Sequence, residues 1–185
     1  MKKTLIAAAL SLLASLAAQA TTTVAYSSVF GSAGVNNAEL AGDGFAPADG
    51  TFWQTQTAWW FGDSQSLTFV FDQAYQITGM QLTVDNNDFY RVSLSTDGTT
   101  WQDYYTVLAF EGSVGGGVET FTPSLPATAA YYRYARVVGF YGDGANSVGE
   151  LKFSGVAAPV PETSSAALLL AGLGAMGLLA RRRRA

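Results

Sequence analysis

The chain contains no cysteine and no histidine. Their absence excludes disulfide staples, thiolate nucleophiles, Ser-His-Asp triads, His-ligated zinc or iron and c-type haem attachment. Any metal held by the protein must then be bound through oxygen, which selects Ca²⁺ or Mg²⁺ over transition metals. Charge is scarce too: Asp, Glu, Lys and Arg make up 13% of the 185 residues, about half the usual share of roughly 25%. Residues 21–158 hold four basic residues (Arg91, Arg133, Arg136 and Lys152) against thirteen acidic ones, a net of −9. A body this acidic repels phosphate backbones, so nucleic acid is not an expected partner. Also missing from this stretch is any sustained 3.6-residue apolar period, which argues against amphipathic helices.

Positive charge is concentrated at the two ends, beside apolar runs. Lys2 and Lys3 precede the apolar segment Leu5–Leu16, and Ala18-Gln19-Ala20 supplies a small-x-small pattern. This is the layout of a secretory signal peptide over residues 1–20, to be cut by signal peptidase after Ala20. At the other end, Ala157-Ala158-Pro159-Val160-Pro161 resists helix and sheet and reads as part of a linker over 156–163. Residues 164–180 then run uncharged for 17 positions. As a helix they span roughly 25 Å, a marginal crossing of a bilayer core about 30 Å thick. Arg181, Arg182, Arg183 and Arg184 would hold residues 181–185 in the cytoplasm, leaving the body on the far side of the inner membrane.

Val160-Pro161-Glu162, an apolar helix and an arginine cluster, in that order, closely resemble the PEP-CTERM sorting signal of Gram-negative bacteria. That family has Pro after the Glu; this chain has Thr163. The resemblance implies an exosortase as partner, with cutting near Pro161-Glu162, transient anchoring in the inner membrane and delivery to the cell surface or an extracellular matrix. A plain tail anchor is the alternative.

Between the ends, short β-branched and aromatic runs are separated by Gly, Asp and Asn, the pattern of an all-β sandwich over 21–155. Strands are predicted at Val24–Val29, Ser66–Phe71, Gln76–Val84, Tyr90–Ser95, Trp101–Val107, Val118–Thr122, Tyr131–Val138 and Val148–Phe153. In Tyr90–Ser95 apolar side chains alternate, so one face is buried and one wet. Asp97-Gly98 supplies the tight turn that follows.

Tyr90–Trp101 resembles the strand–turn–Trp signature of discoidin-like domains, the coagulation factor V/VIII type C or galactose-binding-like jelly rolls. Arg133–Val137 is similar to their penultimate core strand and Ser147–Gly155 to their closing strand. Asp43-Gly44 followed by Thr51-Phe52-Trp53 is similar to their early loop, with a longer spacing. The resemblance implies a single jelly-roll β-sandwich. It also implies one structural Ca²⁺ tying that loop to the last strand, with Asp43, Thr51 and Glu150 as ligands and Leu40 as a carbonyl donor. Asp49 is close enough in sequence to join them. The competing reading is that these Asp and Gly residues only make turns.

Loops at one end of such a sandwich can stack aromatic faces on sugar rings while Asn and Asp bond the hydroxyls. A carbohydrate-binding loop would draw on Asn86, Asn87, Asp88, Tyr90 and Trp60, with Phe45 and Tyr141 at its rim. One of Trp59 and Trp60 should point inward, and Trp53 is expected in the core. Three functions follow: an exported noncatalytic module binding extracellular polysaccharide, a structural matrix protein with no small ligand, and a minor alternative, a carboxylate-dependent glycan hydrolase. Asp85 with Asp88, or Asp97 with Asp103, would serve the last. With no histidine and one lysine in the body, nucleophile activation has little to draw on, and no enzymatic activity is expected.

Overall fold

The computed structural model describes residues 20–159 together with 172–173. Residues 1–19, with Lys2, Lys3 and Ala18, lie outside the described residues. So do Val160, Pro161 and Glu162, nearly all of the 164–180 segment, and Arg181–Arg184. Among the described residues no helix is long and apolar enough to cross a membrane.

The body is all-β, as expected. Nine strands follow in chain order: β1 (Thr22–Thr23), β2 (Tyr26–Gly31), β3 (Ala58–Phe61), β4 (Leu67–Asp85), β5 (Phe89–Ser95), β6 (Gln102–Val107), β7 (Val118–Phe121), β8 (Tyr132–Phe140) and β9 (Ala145–Ala157). One 3₁₀ helix, Ala38–Gly42, interrupts them. All pairings are antiparallel, and the main path runs β1-β9-β4-β8-β5-β6, with β2 and β7 also on β4 and β3 on β9.

Strand β4 joins the two halves of this single open sheet. Its first part, Leu67–Phe71, lies between β2 and β8, while Tyr75–Asp85 pairs with β9 and β7, with an irregularity between Val70 and Tyr75. The two parts therefore belong to facing layers. Phe153 of β9 meets Phe71 of β4 at 5.7 Å and Tyr104 of β6 at 6.2 Å across the core. Around them Trp60, Phe69, Ile77, Leu82, Tyr90, Leu94 and Leu151 are fully buried. Period-2 alternation selects them: in β3, Ala58 and Trp60 face in while Trp59 and Phe61 face out. Two separate strand predictions, Ser66–Phe71 and Gln76–Val84, prove to be one long strand, and β3 had no predicted counterpart.

Candidate functional site

Four connecting segments meet at one end of the sandwich: residues 43–57, the β4–β5 turn at 86–88, the β6–β7 loop at 108–117 and the β8–β9 turn at 141–144. Main-chain bonds tie the first three together. Gly50 N donates to Val118 O (2.8 Å), Val118 N to Thr51 O (2.9 Å), Asn86 N to Gly117 O (3.2 Å) and Phe110 N to Asn86 O (2.7 Å). Gly117 is required at this crossing, since a Cβ there would overlap Thr51 O. Beneath the loop, the Glu119 carboxylate accepts from Ser113 N (2.6 Å), Val114 N (3.1 Å) and Asn86 Nδ2 (3.4 Å). Burial pushes its pKa up, but these donors win and hold it below the ordinary value.

Between the loops lies a cleft of about 510 Å³ lined by Phe52, Trp53, Phe110, Asp85, Asn86, Asn87, Asp143 and the glycines at 50 and 115–117. Its apolar side is an aromatic cluster. Trp53 stands edge-on to Trp59 and Phe61, each at 5.7 Å, and Phe52 lies 5.9 Å from Trp53. Phe52 is 61% exposed and Phe110 74%. Phe110 also holds φ at +59°, a conformation costing a bulky residue roughly 1 kcal/mol or more. A strained backbone thus presents a solvent-facing ring, the reverse of what core packing selects. A second cleft of about 370 Å³, walled by Leu94, Tyr104, Leu125, Pro126 and Tyr132 among others, shares no residue with this one.

The polar side is acidic. Asn87 Nδ2 donates to Asp143 Oδ2 (3.0 Å), and Ala145 N to Asp143 Oδ1 (2.9 Å). Burial, then the Asp143 charge, pushes Asp85 up to about 6. Burial, then Asp143 and Asp85, pushes Asp88 up to about 7. Tyr90, fully buried with its hydroxyl accepting from Ser147 N (2.9 Å), is raised well above its usual range, mainly by burial and then by Asp88.

The sequence-predicted ligand residues therefore divide. Asn86 and Asn87 line the cleft. Asp88 is adjacent to it but sealed at 0% exposure, and Tyr90 and Trp60 are core residues that no ligand can stack on. Their inward direction follows from strand alternation in β5 and β3. Phe45 and Tyr141 are exposed but do not line the cleft. Trp53, expected inside, is a half-buried wall of the cleft instead. Phe110 and Asp143 were not singled out by sequence, although the Gly115-Gly116-Gly117 run marks a place where chain segments approach closely.

The expected calcium ligands divide as well. Asp43 and Glu150 are brought close enough to repel each other. Glu150, buried on β9, accepts from Gly44 N (3.2 Å), Asp43 Oδ1 accepts from Phe45 N (2.8 Å), and Lys152 Nζ donates to Gly44 O (2.9 Å). Burial pushes Glu150 up to about 7; Asp43 adds to this, while the Gly44 amide and Lys152 oppose it. A buried acid beside a second one is a donor set that fits a hard cation. Asp49 Oδ1 instead accepts from Thr120 N (3.0 Å) on β7, and Thr51 Oγ1 donates to Ala48 O (2.6 Å). Leu40 sits half-buried in the 3₁₀ helix. Among the described residues no three acidic side chains converge tightly enough to hold a metal by themselves.

The fold and its loop-end cleft define a jelly-roll module of the discoidin class, and comparison with known proteins gives the family. Residues 19–151 match the F5/8 type C domain, and the chain belongs to that family. Residues 157–184 match the PEP-CTERM protein-sorting motif. No curated protein matches the sequence. Among solved structures, the chain is similar to the CBM32 of AlyQ in complex with 4,5-unsaturated mannuronic acid (20% identity, TM-score 0.52, covering 71% of this chain and 97% of that one). It is also similar to the family 32 CBM from C. perfringens NanJ in complex with galactose (16%, TM-score 0.51, 73% and 99%). A truncated AlyQ with CBM32 and alginate lyase domains also matches (20%, TM-score 0.53, 78% of this chain), and of that protein the chain spans only 36%. At these identities the likeness establishes the fold.

Proposed function

We propose that the chain is an exported, noncatalytic surface or matrix protein whose loop-end cleft binds a neutral glycan. The observation that carries this reading is the pairing of two solvent-facing rings (Phe52 and Phe110) and the half-buried Trp53 with the amides of Asn86 and Asn87 across one cleft. Rings cover the apolar face of a sugar while amides and carboxylates bond its hydroxyls. The acidic wall of Asp85 and Asp143, in a body of net charge −9, selects against anionic polymers. A glycan array probed with the purified protein tests it. Binding of neutral sugars, lost at least tenfold in Phe52→Ala and Trp53→Ala variants that keep their melting temperature, is the expected outcome. A folded protein that captures no glycan would leave the structural matrix role in its place.

The sorting-motif match supports processing by an exosortase and an extracytoplasmic destination. Mass analysis of mature protein from cells with and without that enzyme should differ by loss of the C-terminal segment; Arg181–Arg184 retained in both would remove this part. Asp43 and Glu150 would hold a calcium ion, with the Leu40 carbonyl and water completing the shell. Bound there, it would supply a cross-link between the early loop and β9. Calcium should raise the melting temperature, and Asp43→Ala should lose that protection.

A further inference from the structure

Strand β9 connects the two ends of the molecule. It begins at Ala145, just after the cleft residue Asp143, and ends at Ala157. Its 13 residues span roughly 40 Å at about 3.3 Å each. The body still holds the chain at Ala158, whose N donates to Ala74 O (2.8 Å). Strand β1 lies at the same end, with Thr22 opposite Gly155. The sorting-motif match starts at residue 157, so no spacer separates it from the sandwich. Pro161, at the expected cut, is three residues past Ala158, at most roughly 11 Å of extended chain. An enzyme that reaches that bond must come against this end of the folded body.

The cleft of about 370 Å³ opens there. Tyr75 of β4 is flanked by Ala157 on one side and by Tyr132, in the cleft wall, on the other. Two strand spacings put those neighbours about 10 Å apart. Thr128, also in the wall, is pinned to the same stretch of β4: its N donates to Ile77 O (2.8 Å) and its O accepts from Gln76 Nε2 (2.6 Å). Residues 120–132 carry no charge, in a body of net −9. Within that run Pro126, Ala127, Ala129, Ala130 and Tyr131 are exposed. The charged residue of the wall, Asp103, is paired with Arg91 (3.7 Å). Its rings offer little to a sugar. Tyr132 is 8% exposed with its hydroxyl donating to Gln102 Oε1 (2.8 Å), and Tyr104 packs on Phe153.

We propose that this uncharged rim and its cleft form the surface on which the membrane-embedded processing enzyme seats the body while it cuts the linker. The inference rests on the exosortase reading and is independent of the glycan one. Anionic headgroups repel an acidic body, and the uncharged run lowers that barrier at the end nearest the tether. A lipid surface has nothing shaped to fill a cavity, whereas a protein side chain does. The contact is small, as suits an enzyme that must release its product. The glycan cleft, at the far end of β9, stays open throughout.

The test uses the full chain in inner membranes that carry the exosortase, with conversion to the cut form followed by mass. Ala129→Glu puts a charge on the rim. Ser64→Glu puts the same charge at the opposite end, on the exposed β3–β4 turn, where Gly62 N donates to Gly144 O (2.8 Å). Ala129→Glu should slow conversion about fivefold or more at an unchanged melting temperature, because docking would bury an unpaired charge. Ser64→Glu should stay within about twofold of the parent. Conversion of Ala129→Glu at the parent's rate would overturn the surface, and equal slowing by both variants would reduce it to net charge. Ala127→Cys gives the chain its only cysteine. Carrying a benzophenone there, it should cross-link to the exosortase, identified by mass. Adducts with lipid alone, or with a second copy of the chain, would also overturn the proposal. If Ala129→Glu does not fold, the cross-link decides. A parent that is never cut removes the processing reading and this surface together, whereas a parent cut no faster than Ala129→Glu removes the surface alone.

Discussion

Strand β5 is entered through one acidic turn and left through another, and the two treat their carboxylates in opposite ways. On the exit side, Asp97 Oδ1 accepts from Thr99 N and Thr100 N, each at 2.8 Å, and from Ser95 Oγ at 3.0 Å. The Thr100 and Thr99 amides hold its carboxyl well below the usual range. On the entry side, Asp88 is buried, unpartnered and pushed up to about 7. Asp97 needs nothing beyond its own turn. Asp88 is governed by segments distant in sequence: burial first, then the Asp143 and Asp85 charges, set its ionisation.

Each turn also leans on a glycine, and these should give the largest difference. Gly142→Ala forces a Cβ into the Asp88 carboxylate at φ +72° and should cost about 3 kcal/mol in urea unfolding. Gly98→Ala, at φ +77° with only the Tyr134 ring 3.4 Å away, should cost about 1 kcal/mol. Equal losses would mean that backbone strain alone governs both turns.

The carboxylates themselves should respond with opposite signs. In EDTA at pH 8, Asp88→Asn removes a buried negative charge and should stabilise the fold by about 1–3 kcal/mol. Asp97→Asn weakens three bonds to a satisfied acceptor and should lower the melting temperature. Two melting curves settle the comparison, and a shared sign would break it.

A smaller, graded effect follows with pH. Asp85 (about 6), Asp88 (about 7) and Glu150 (about 7) bind protons in the fold at pH values where the unfolded groups, near 3.8 and 4.5, have lost them. Stability without metal should therefore fall as pH rises from about 4 to 7 and then level off. Asp97 and Glu119, shifted the other way, should withdraw stability only on further acidification. Melting of the EDTA-treated protein should peak between these limbs. A shallower slope in Asp88→Asn than in the parent would assign that share of the effect to the entry turn, the remainder belonging to Asp85 and Glu150.

Much of the exit turn was readable from sequence, and little of the entry turn was. Tyr90–Ser95 alternates, and Asp97-Gly98 carries its own turn chemistry. Each cause is local, and the structure places Gly98 at φ +77° accordingly. Asp85-Asn86-Asn87-Asp88 looked like an exposed polar loop because nothing nearby in sequence buries it. It is covered by Gly142 and Asp143, more than fifty residues away. Trp60 misled for the converse reason: β3 is four residues long, too short for alternation to show which tryptophan of the pair turns inward. The cleft was half visible. Its aromatics stood out in sequence, whereas Phe110 required the φ of +59° seen only in the fold.

The smallest expected change guards against a simpler account of the whole contrast. Deleting any one of thirteen acidic side chains from a body of net charge −9 relieves some repulsion, whether or not that side chain is buried. Asp103 on β6 separates the two causes. It is 65% exposed in its pair with Arg91 at 3.7 Å, and it accepts from Ser93 Oγ (3.0 Å), a bond that an asparagine retains. Asp103→Asn thus makes the same change in charge with almost no change in desolvation. Exposed pairs of this kind are worth little, so the shift should stay within about 0.5 kcal/mol of zero. A gain equal to that of Asp88→Asn would trace the entry turn's behaviour to diffuse repulsion, and burial at Asp88 would no longer be its cause.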